Sequence, residues 1–397
     1  MSLLREICSI ALFRGVREKE PLASLCDYLF KLEPGYSIEE MIDSYGHFCS
    51  VLYSLRPDCD LSAAIWDVLV DDMNPYLRYK IDSIVDPESA GKQSSLMKLT
   101  AQRELELLTR IGSYTSFDLK EQLVYDGYLP DFTSSRIDLK KRYLKMIDSI
   151  DTSGYGIFTR YDFFRIKDGR LVPVINPDPV SAVDLFCYER QRDMVAANTA
   201  AFAQGLPFED VLLYGDAGTG KSSTVKSSAR MFFDKGVRLV EIPKTELSHL
   251  SDIIESLSRE PMKFILFMDD ISFDADDDRI GVLKSVIEGA ASGGRRNTAI
   301  YATSNRRHMI KETFSSRENE IHRTDTIAEQ LSLSERFGIR ILFDKPDRKT
   351  YLMIVKALLE AKGVSFDDEQ IERDAELYAL RKGGRSCRTA RQFADSL

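Results

Sequence analysis

The sequence predicts an α/β fold in which a five-stranded parallel sheet follows a mostly helical N-terminal domain and precedes a small helical lid. Three observations lead to this architecture. Apolar residues recur at helical spacing up to about residue 150, short apolar runs then alternate with helical patterns over residues 183–345, and a helical pattern returns after Pro346. Continuous apolar runs separated by helices are typical of parallel strands that are buried on both faces.

The N-terminal domain, residues 1–150, is predicted to be mostly helical and is a candidate for binding a client or partner. Its helical spacing is clearest in three segments, at residues 62–70, 96–111 and 137–150. Residues 151–182 form a predicted linker, because glycines and prolines interrupt short apolar runs there. One such run, at residues 170–175, suits a small strand. With 397 residues, the chain is long enough for two or three separate cores.

The core domain, residues 183–345, contains five short apolar runs that predict its strands. These runs lie at residues 211–214, 239–242, 264–268, 299–302 and 340–343. Helical patterns separate them, so the domain is expected to carry helices on both faces of the sheet. Residues 346–397 predict a lid of about three helices, and Asp347 is placed to cap the first of them.

Composition and charge exclude several classes of protein. The chain has 63 acidic and 54 basic side chains and a net charge of -9, so any contact with nucleic acid would need a local basic patch. No apolar run reaches the length of about 18 residues that a membrane span needs. The short apolar run at residues 7–13 lacks a cleavage site, and the six cysteines form no CxxC pair. We therefore expect a cytoplasmic protein with reduced thiols and no zinc site.

A glycine-rich loop follows the first predicted strand of the core domain. Residues 215–222 read Gly-Asp-Ala-Gly-Thr-Gly-Lys-Ser, which matches GxxxxGK[ST] and precedes a predicted helix at residues 222–233. The glycines let backbone N–H groups turn toward phosphates, Lys221 neutralises them, and the Ser222 hydroxyl is placed to bind Mg²⁺. The predicted nucleotide contacts are Gly215, Asp216, Ala217, Gly218, Thr219, Gly220, Lys221, Ser222 and Ser223.

Two carboxylates end the third strand of the core domain. Asp269 and Asp270 follow the apolar run at residues 264–268, at the edge where open parallel sheets bind ligands. We predict that Asp269 holds Mg²⁺ through its water shell and that Asp270 polarises the attacking water, a role that a glutamate has in many ATPases. A pair of solvated turn aspartates is the alternative. The acidic run at residues 274–278 is interpreted as a solvated loop.

Three more polar residues follow farther along the chain. Asn305 comes after the fourth strand, where its amide could contact the attacking water and the γ-phosphate, although such a residue alone is usually part of a turn. Arg336 precedes the fifth strand, and Arg388 begins the last helix of the lid. Taken singly, either arginine would be interpreted as a surface salt-bridge partner.

In this order, the motifs resemble those of the AAA+ ATPases over about residues 183–397. The resemblance implies that Asn305 is sensor 1, that Arg336 is a finger reaching the neighbouring subunit's nucleotide, and that Arg388 is sensor 2. It also implies ATP and Mg²⁺ as ligands and assembly into a homo-oligomer.

Finer matches resemble a bacterial AAA+ family that is described only as a domain of unknown function. They lie at residues 188–195, 198–199, 302–308, 331–338 and 385–393. The family's usual second glycine is not kept around Cys387, whereas Arg385 and Arg388 are retained. This resemblance implies an ATPase and does not identify a biological substrate.

The sequence leaves open more than one kind of ATPase. Residues 241–250 lack the aromatic and glycine that a peptide-threading loop needs, whereas residues 269–273, Asp-Asp-Ile-Ser-Phe, resemble the replication-initiator and helicase-loader branch. No Asn-Lys-x-Asp guanine reader follows the fourth or fifth strand, which favours ATP over GTP. The basic pairs at residues 295–296 and 306–307 lie at opposite ends of one strand and do not make a continuous patch.

The first hypothesis is an oligomerising ATPase, slow and completed across subunits, whose N-terminal domain binds a protein client. The second is an ATP-dependent nucleic-acid loader or initiator, which the charge does not favour. The third is a nucleotide-binding scaffold with little turnover, because Asp270 replaces the usual glutamate.

Overall fold

The structure is a computed structural model, and it describes residues 3–88, 95–177, 188–271, 279–291, 297–305 and 333–397. The chain divides into two compact units, Met1–Arg160 and Tyr161–Leu397. Within these described ranges, no helix combines the length and the apolar character needed to cross a bilayer.

The first unit is helical, as predicted. Its helices are α1 (Leu3–Cys8), α2 (Arg14–Arg17), α3 (Leu22–Lys31), α4 (Ile38–Leu55), α5 (Leu61–Val70), α6 (Pro75–Val85), α7 (Ser95–Gly112), α8 (Ser116–Lys120), α9 (Leu139–Asp148) and α10 (Ile150–Ser153), followed by a 3-10 helix at Gly156–Thr159. The helices pack around one core whose largest buried side chains are aromatic: Phe13, Tyr28, Tyr45, Phe48 and Tyr143.

Side chains define where several of these helices begin. Ser37 and Glu40 form a reciprocal capping box at the start of α4, and the Asn74 carboxamide oxygen accepts the Leu77 N–H at the start of α6. The buried Glu104 carboxylate of α7 accepts the N–H groups of Ala11, Leu12 and Phe13. This carboxylate therefore anchors the N-terminal segment to the centre of the unit.

The predicted linker contributes to both units. Residues 151–160 belong to the helical unit because Phe158 is buried and the Arg160 guanidinium binds the Asp71 carboxylate at 2.9 Å. Two strands follow, β1 (Phe163–Lys167) and β2 (Arg170–Pro173), which form an antiparallel hairpin. The sequence predicts a small strand here only as part of a linker, whereas the hairpin belongs to the main sheet.

The second unit contains a seven-stranded sheet. After β1 and β2, its strands are β3 (Val211–Gly215), β4 (Val237–Glu241), β5 (Lys263–Met268), β6 (Thr298–Ser304) and β7 (Ile339–Phe343). The strand order is β2-β1-β4-β5-β6-β3-β7, and every pair except β1–β2 is parallel. The five predicted parallel strands are confirmed, and the hairpin extends the sheet beyond β4.

Helices cover this sheet and form the lid. They are α11 (Glu189–Gln204), α12 (Lys221–Arg230), α13 (Leu250–Ser258), α14 (Arg279–Ala291), α15 (Arg348–Ala361), α16 (Asp368–Arg381) and α17 (Cys387–Asp395), with 3-10 helices at Phe233–Lys235 and Lys244–His249. The last three α-helices are the predicted lid and have their own apolar core. Asp347 caps α15 by accepting the Thr350 N–H at 2.7 Å. Helix α12 ends at Arg230, earlier than the predicted residue 233, because a separate 3-10 turn follows.

A buried polar cluster joins α11 to the sheet. The Tyr301 hydroxyl of β6 lies 2.9 Å from both the Asn198 amide nitrogen and the Thr199 hydroxyl. Asn198 also exchanges two hydrogen bonds with the backbone of Glu209, just before β3. Residues 198–199, which carry part of the family resemblance, therefore hold α11 against the sheet. They are not among the residues that line the cavity beside the glycine-rich loop.

Candidate nucleotide-binding site

The glycine-rich loop turns sharply between β3 and α12. Gly215 has φ +127°, and a Cβ placed on it would lie 2.3 Å from the Phe343 carbonyl oxygen, so any side chain here would collide with β7. The Asp216 N–H donates to the same carbonyl at 3.0 Å. The loop therefore starts from a fixed point on the neighbouring strand.

Lys221, the first residue of α12, is almost completely buried beneath the loop. Its Nζ donates to the carbonyl oxygens of Gly215 and Asp216 at 3.2 and 2.7 Å. Burial lowers the pKa of the Lys221 ammonium, and the carboxylates of Asp270, Asp216 and Asp269 oppose that shift. A buried cation at the start of a helix is suited to phosphate, which supplies both charge and acceptor atoms.

The two carboxylates after β5 are held by the adjacent strand and by α12. Asp269 Oδ1 accepts hydrogen bonds from the Ser222 hydroxyl at 2.5 Å and from the Thr303 hydroxyl at 2.6 Å. Asp270 has the left-handed conformation, with φ +51°, and its N–H donates to Thr303 Oγ1 at 2.8 Å. Because β5 and β6 are neighbours, Thr303 lies beside both aspartate residues.

The lid contacts the loop through the start of its last helix. Ser386 caps α17 by accepting the Thr389 N–H, and the N–H of the preceding residue, Arg388, donates to the Gly218 carbonyl at 3.1 Å. Gly218 has φ +75°, and a Cβ on it would approach Ser386 and Arg388 to 3.1 Å. Glycine at this position therefore allows close contact between lid and loop.

These elements surround one cavity of about 340 Å³. Its described lining residues are Gly218, Thr219, Gly220, Lys221, Ser222, Ser223, Asp269, Asp270, Asn305, Cys387, Arg388 and Arg391. The predicted residues Asn305 and Arg388, which are distant in the sequence, thus meet the loop and the carboxylates at one place. Gly215, Asp216 and Ala217 are the first three residues of the loop and are not among these lining residues.

The donor set fits a magnesium nucleotide. Ser222, Asp269 and Asp270 provide the hard oxygen ligands that Mg²⁺ prefers, directly or through water. Lys221, Arg388 and Arg391 line the same cavity and provide positive charge for phosphate groups. The arrangement can therefore bind a polyphosphate and its metal side by side.

Arg336 lies apart from this cavity. It is half-buried, and its Nη1 donates to the Lys284 carbonyl of α14 at 3.3 Å. Arg336 is not one of the described residues that line the nucleotide cavity. Its predicted role toward the nucleotide of a neighbouring subunit is a matter of assembly and remains a prediction.

A family model described as "Protein of unknown function (DUF815)" matches residues 158–397, which is more than half of the chain. The chain belongs to this family. The DUF815 match begins close to the boundary between the two units, so it spans the sheet, the nucleotide cavity and the lid. The five core strands lie in the order β4-β5-β6-β3-β7, the loop follows the inner strand β3, and a helical lid follows the last strand. This arrangement agrees with the resemblance to AAA+ ATPases that the motifs carry.

Solved structures with similar regions include a variant of RuvB from Thermotoga maritima and PCH-2 from C. elegans. The RuvB variant is 18% identical, with a TM-score of 0.37, over 55% of this chain and 63% of that one. PCH-2 is 16% identical, with a TM-score of 0.31, over 48% of this chain and 54% of that one. The chain thus spans less than two thirds of both proteins, and at these scores the likeness identifies neither a reaction nor a partner. A search of curated proteins found no match.

Some sequence predictions concern residues outside the described ranges. They are the basic pairs Arg295–Arg296 and Arg306–Arg307, the acidic run 274–278, the end of the Asp-Asp-Ile-Ser-Phe motif at 272–273, and residues 331–332. The predictions for these residues stand as made from the sequence.

Sequence reasoning missed three residues of the cavity region. Arg391 follows Arg388 by one helical turn, so this spacing could have identified it. Cys387 was treated only as a departure from the family pattern, yet it lines the cavity. Thr303 gave no signal, because threonine is common in strands. By contrast, Arg385 binds Glu376 in a bidentate pair at 2.6 and 2.9 Å, which gives it a structural contact within the lid.

The two carboxylates are expected to have different mutant phenotypes. Asp270→Asn should retain Mg²⁺-dependent ATP binding but lower turnover by about 10²-fold or more, since it removes a base beside the attacking water. Asp269→Ala should weaken the Mg²⁺-dependent step itself. Nucleotide affinity with and without Mg²⁺, measured together with phosphate release, separates the two. Asp252→Asn, an exposed change on α13, is the control, and parental turnover in both site variants would contradict the assignment.

Proposed function

We propose that this DUF815 protein binds ATP with Mg²⁺, hydrolyses it to ADP and phosphate, and assembles into a homo-oligomer. In this proposal, the nucleotide state controls the remodelling or assembly of a protein client, in the cytoplasm. The observation that carries the proposal is the single cavity at which the Lys221 loop, the Asp269–Asp270 carboxylates and the lid arginine Arg388 meet.

Each residue has a separate task in the proposed reaction. Lys221 and Arg388 bind phosphate oxygens, and Ser222 and Asp269 hold Mg²⁺, which neutralises charge on the phosphates when bound. Asp270 and Asn305 orient the attacking water, and Asp270 takes up its proton. Arg336 of one subunit completes the site of the next. A phosphate-release assay on the purified chain, with ATP and Mg²⁺, tests the activity directly.

The contacts of the segment after β4 favour an ATPase that works as a switch over one that threads peptides. In this structure the segment includes the 3-10 helix Lys244–His249, and the Glu246 carboxylate accepts the N–H groups of Asp168 and Gly169 at the tip of the β1–β2 hairpin, at 3.1 and 3.0 Å. Arg279 of α14 also donates to the Lys244 carbonyl at 3.3 Å. A segment tied to two other elements is poorly suited to the large loop movements that threading requires.

The helical unit offers a surface for the proposed client. Four large apolar side chains between residues 117 and 128 are exposed: Phe117 by 71%, Val124 by 96%, Tyr125 by 43% and Tyr128 by 86%. We name these four residues the aromatic patch. Exposed apolar side chains that lie so near one another in the sequence favour a binding surface on this segment.

The exposure of this patch is built into the fold. Leu123 and Leu129 are buried on either side of the tip, and the Lys120 ammonium donates to the Leu129 carbonyl and the Asp131 carboxylate. Because these contacts fix both ends of the segment, the residues between them are held outward. Neither buried leucine would be in place if the segment were simply unfolded.

The charge of the surface indicates what kind of client it fits. Glu121 and Asp126, which lie in the same segment as the aromatic patch, are exposed. The positive charge of Lys120 is paired with Asp131. Residues 1–160 as a whole contain 25 acidic and 19 basic side chains. The partner that fits is therefore a protein segment with basic and apolar side chains, and a polyanion such as nucleic acid is disfavoured.

We expect a displayed library of random peptides, selected on the full chain, to yield binders with net positive charge and aromatic or aliphatic residues. Val124→Ser with Tyr128→Ser should weaken their binding by about tenfold or more, because the apolar anchors are lost. Phe30→Ser, which removes an exposed aromatic side chain on α3, outside the patch, should leave binding unchanged. Peptides enriched without positive charge, or binding retained by the double variant, would argue against this surface, and salt-sensitive DNA binding through it would favour nucleic acid instead.

A further inference from the structure

Thr303 of β6 contacts both aspartates of the nucleotide site, Asp269 through its carboxylate and Asp270 through its N–H. Its side chain is buried, with 1% exposure, and its hydroxyl takes part in two hydrogen bonds. The hydroxyl donates to Asp269 Oδ1 at 2.6 Å and accepts the Asp270 N–H at 2.8 Å. One threonine therefore contacts both residues that follow β5, and it does so with opposite hydrogen-bonding roles.

The first contact fixes the orientation of the Asp269 carboxylate. The Ser222 hydroxyl donates to the same oxygen, Oδ1, at 2.5 Å, so the carboxylate is held from α12 on one side and from β6 on the other. A carboxylate with two short charge-assisted bonds to one oxygen has little rotational freedom. Without the Thr303 hydroxyl, the solvent-exposed hydrogen bond from Ser222 would be the remaining one to this oxygen among the described residues.

The second contact fixes the backbone of Asp270. This residue has φ +51°, a conformation that side-chain-bearing residues seldom adopt and that needs support from its surroundings. Support comes from both ends of Thr303: its hydroxyl accepts the Asp270 N–H, and its carbonyl accepts the Ile271 N–H at 2.8 Å. The direction of the Asp270 side chain therefore depends on Thr303.

We propose that Thr303 is a positioning residue that sets how strongly Mg²⁺ and nucleotide binding are coupled. The inference rests on the proposed ATP site, and it adds a residue that touches neither phosphate nor metal. Its hydroxyl holds Asp269 and Asp270 in the orientation in which they serve the metal and the water. The loop and Lys221, which bind phosphate directly, do not depend on it.

The chain provides a matched control on the same strand. Thr298, at the other end of β6, is also 1% exposed, and its hydroxyl has no hydrogen-bond partner among the described residues. Thr298→Val makes the same chemical change in the same strand as Thr303→Val. Any effect of burying a valine in β6 should appear in both variants, whereas an effect on the metal should appear in only one.

The experiment measures the affinity of the full chain for a fluorescent ATP analogue, first with EDTA and then over a range of Mg²⁺ concentrations. For Thr303→Val we expect parental affinity in EDTA, and a gain in affinity on adding Mg²⁺ that is smaller by about tenfold or more, as for loss of a hydrogen bond to a charged group. Thr303→Ser, which keeps the hydroxyl, should restore most of the gain. Thr298→Val should match the parent.

Two outcomes would overturn the inference. One is a full Mg²⁺-dependent gain in a folded Thr303→Val chain, and the other is an equal loss in Thr303→Ser and Thr303→Val. Because Thr303→Ser keeps the hydroxyl, loss of the Mg²⁺-dependent gain in a folded Thr303→Ser chain overturns the inference even if Thr303→Val does not fold. Failure of the parent to bind the analogue in either condition would instead refute the proposed function, so the two failures are distinguishable.

Discussion

Lys221→Ala is expected to abolish ATP binding or to weaken it by at least about a hundredfold. The ammonium is buried beneath the loop, where its pKa is already lowered by burial, and it is the cation closest to the loop carbonyls of Gly215 and Asp216. Bound phosphate would lose charge-assisted bonds worth about 1.5–3 kcal/mol each. The loop N–H groups alone cannot replace that charge.

Lys226→Ala is the matched control for this prediction, because Lys226 lies on the same helix but does not line the nucleotide cavity. Equilibrium binding of a fluorescent ATP analogue to the two variants and the parent provides the measurement. Circular dichroism checks that both variants are folded. Tight binding by a folded Lys221→Ala chain would show that the loop is not the phosphate site.

Arg336→Ala is expected to bind ATP almost normally and to turn it over about 10³- to 10⁵-fold more slowly, as for loss of an arginine supplied in trans. The reason is its position: Arg336 rests against the Lys284 carbonyl of α14 and does not line the cavity of its own chain. Arg340→Ala, an exposed change on the adjoining strand β7, should leave turnover unchanged.

Mixing tests whether the arginine acts between subunits. Arg336→Ala retains an intact phosphate loop and Lys221→Ala retains an intact finger, so mixed oligomers of these two inactive chains should recover part of the activity. Light scattering and differential tagging establish that mixed oligomers form. If they form and activity does not return, Arg336 is a structural residue and the site works without a neighbour.

The parts of the fold that the sequence predicted are those with strong local signals. The apolar strands at residues 211–214 and 264–268 stand out because both faces of a central parallel strand are buried. For the hairpin β1–β2 the sequence predicts a linker with small strands, because glycines and prolines interrupt its short apolar runs. Its place in the sheet depends on pairing with β4, which is distant in the sequence.

The site shows the same division between local and distant information. Lys221, Ser222, Asp269 and Asp270 lie in recognisable motifs, because phosphate and metal chemistry restricts which residues can stand there. Thr303 contacts no ligand in the proposed site, so nothing in its local sequence distinguishes it from an ordinary strand residue. Only the register of β5 against β6 brings its hydroxyl to the Asp269 carboxylate and to the Asp270 N–H.

The hydrogen bonds that join the lid to the phosphate loop have main-chain N–H groups as their donors. The Arg388 N–H binds the Gly218 carbonyl, and the Lys345 N–H, just before the lid, binds the Asp216 carboxylate at 3.1 Å. Backbone donors are the same in every residue but proline, so the attachment of lid to loop tolerates changes of side chain at both donor positions. This separates two properties that evolution can then vary independently: the closeness of the lid, which the backbone maintains, and the charge it presents to phosphate, which residue 388 supplies.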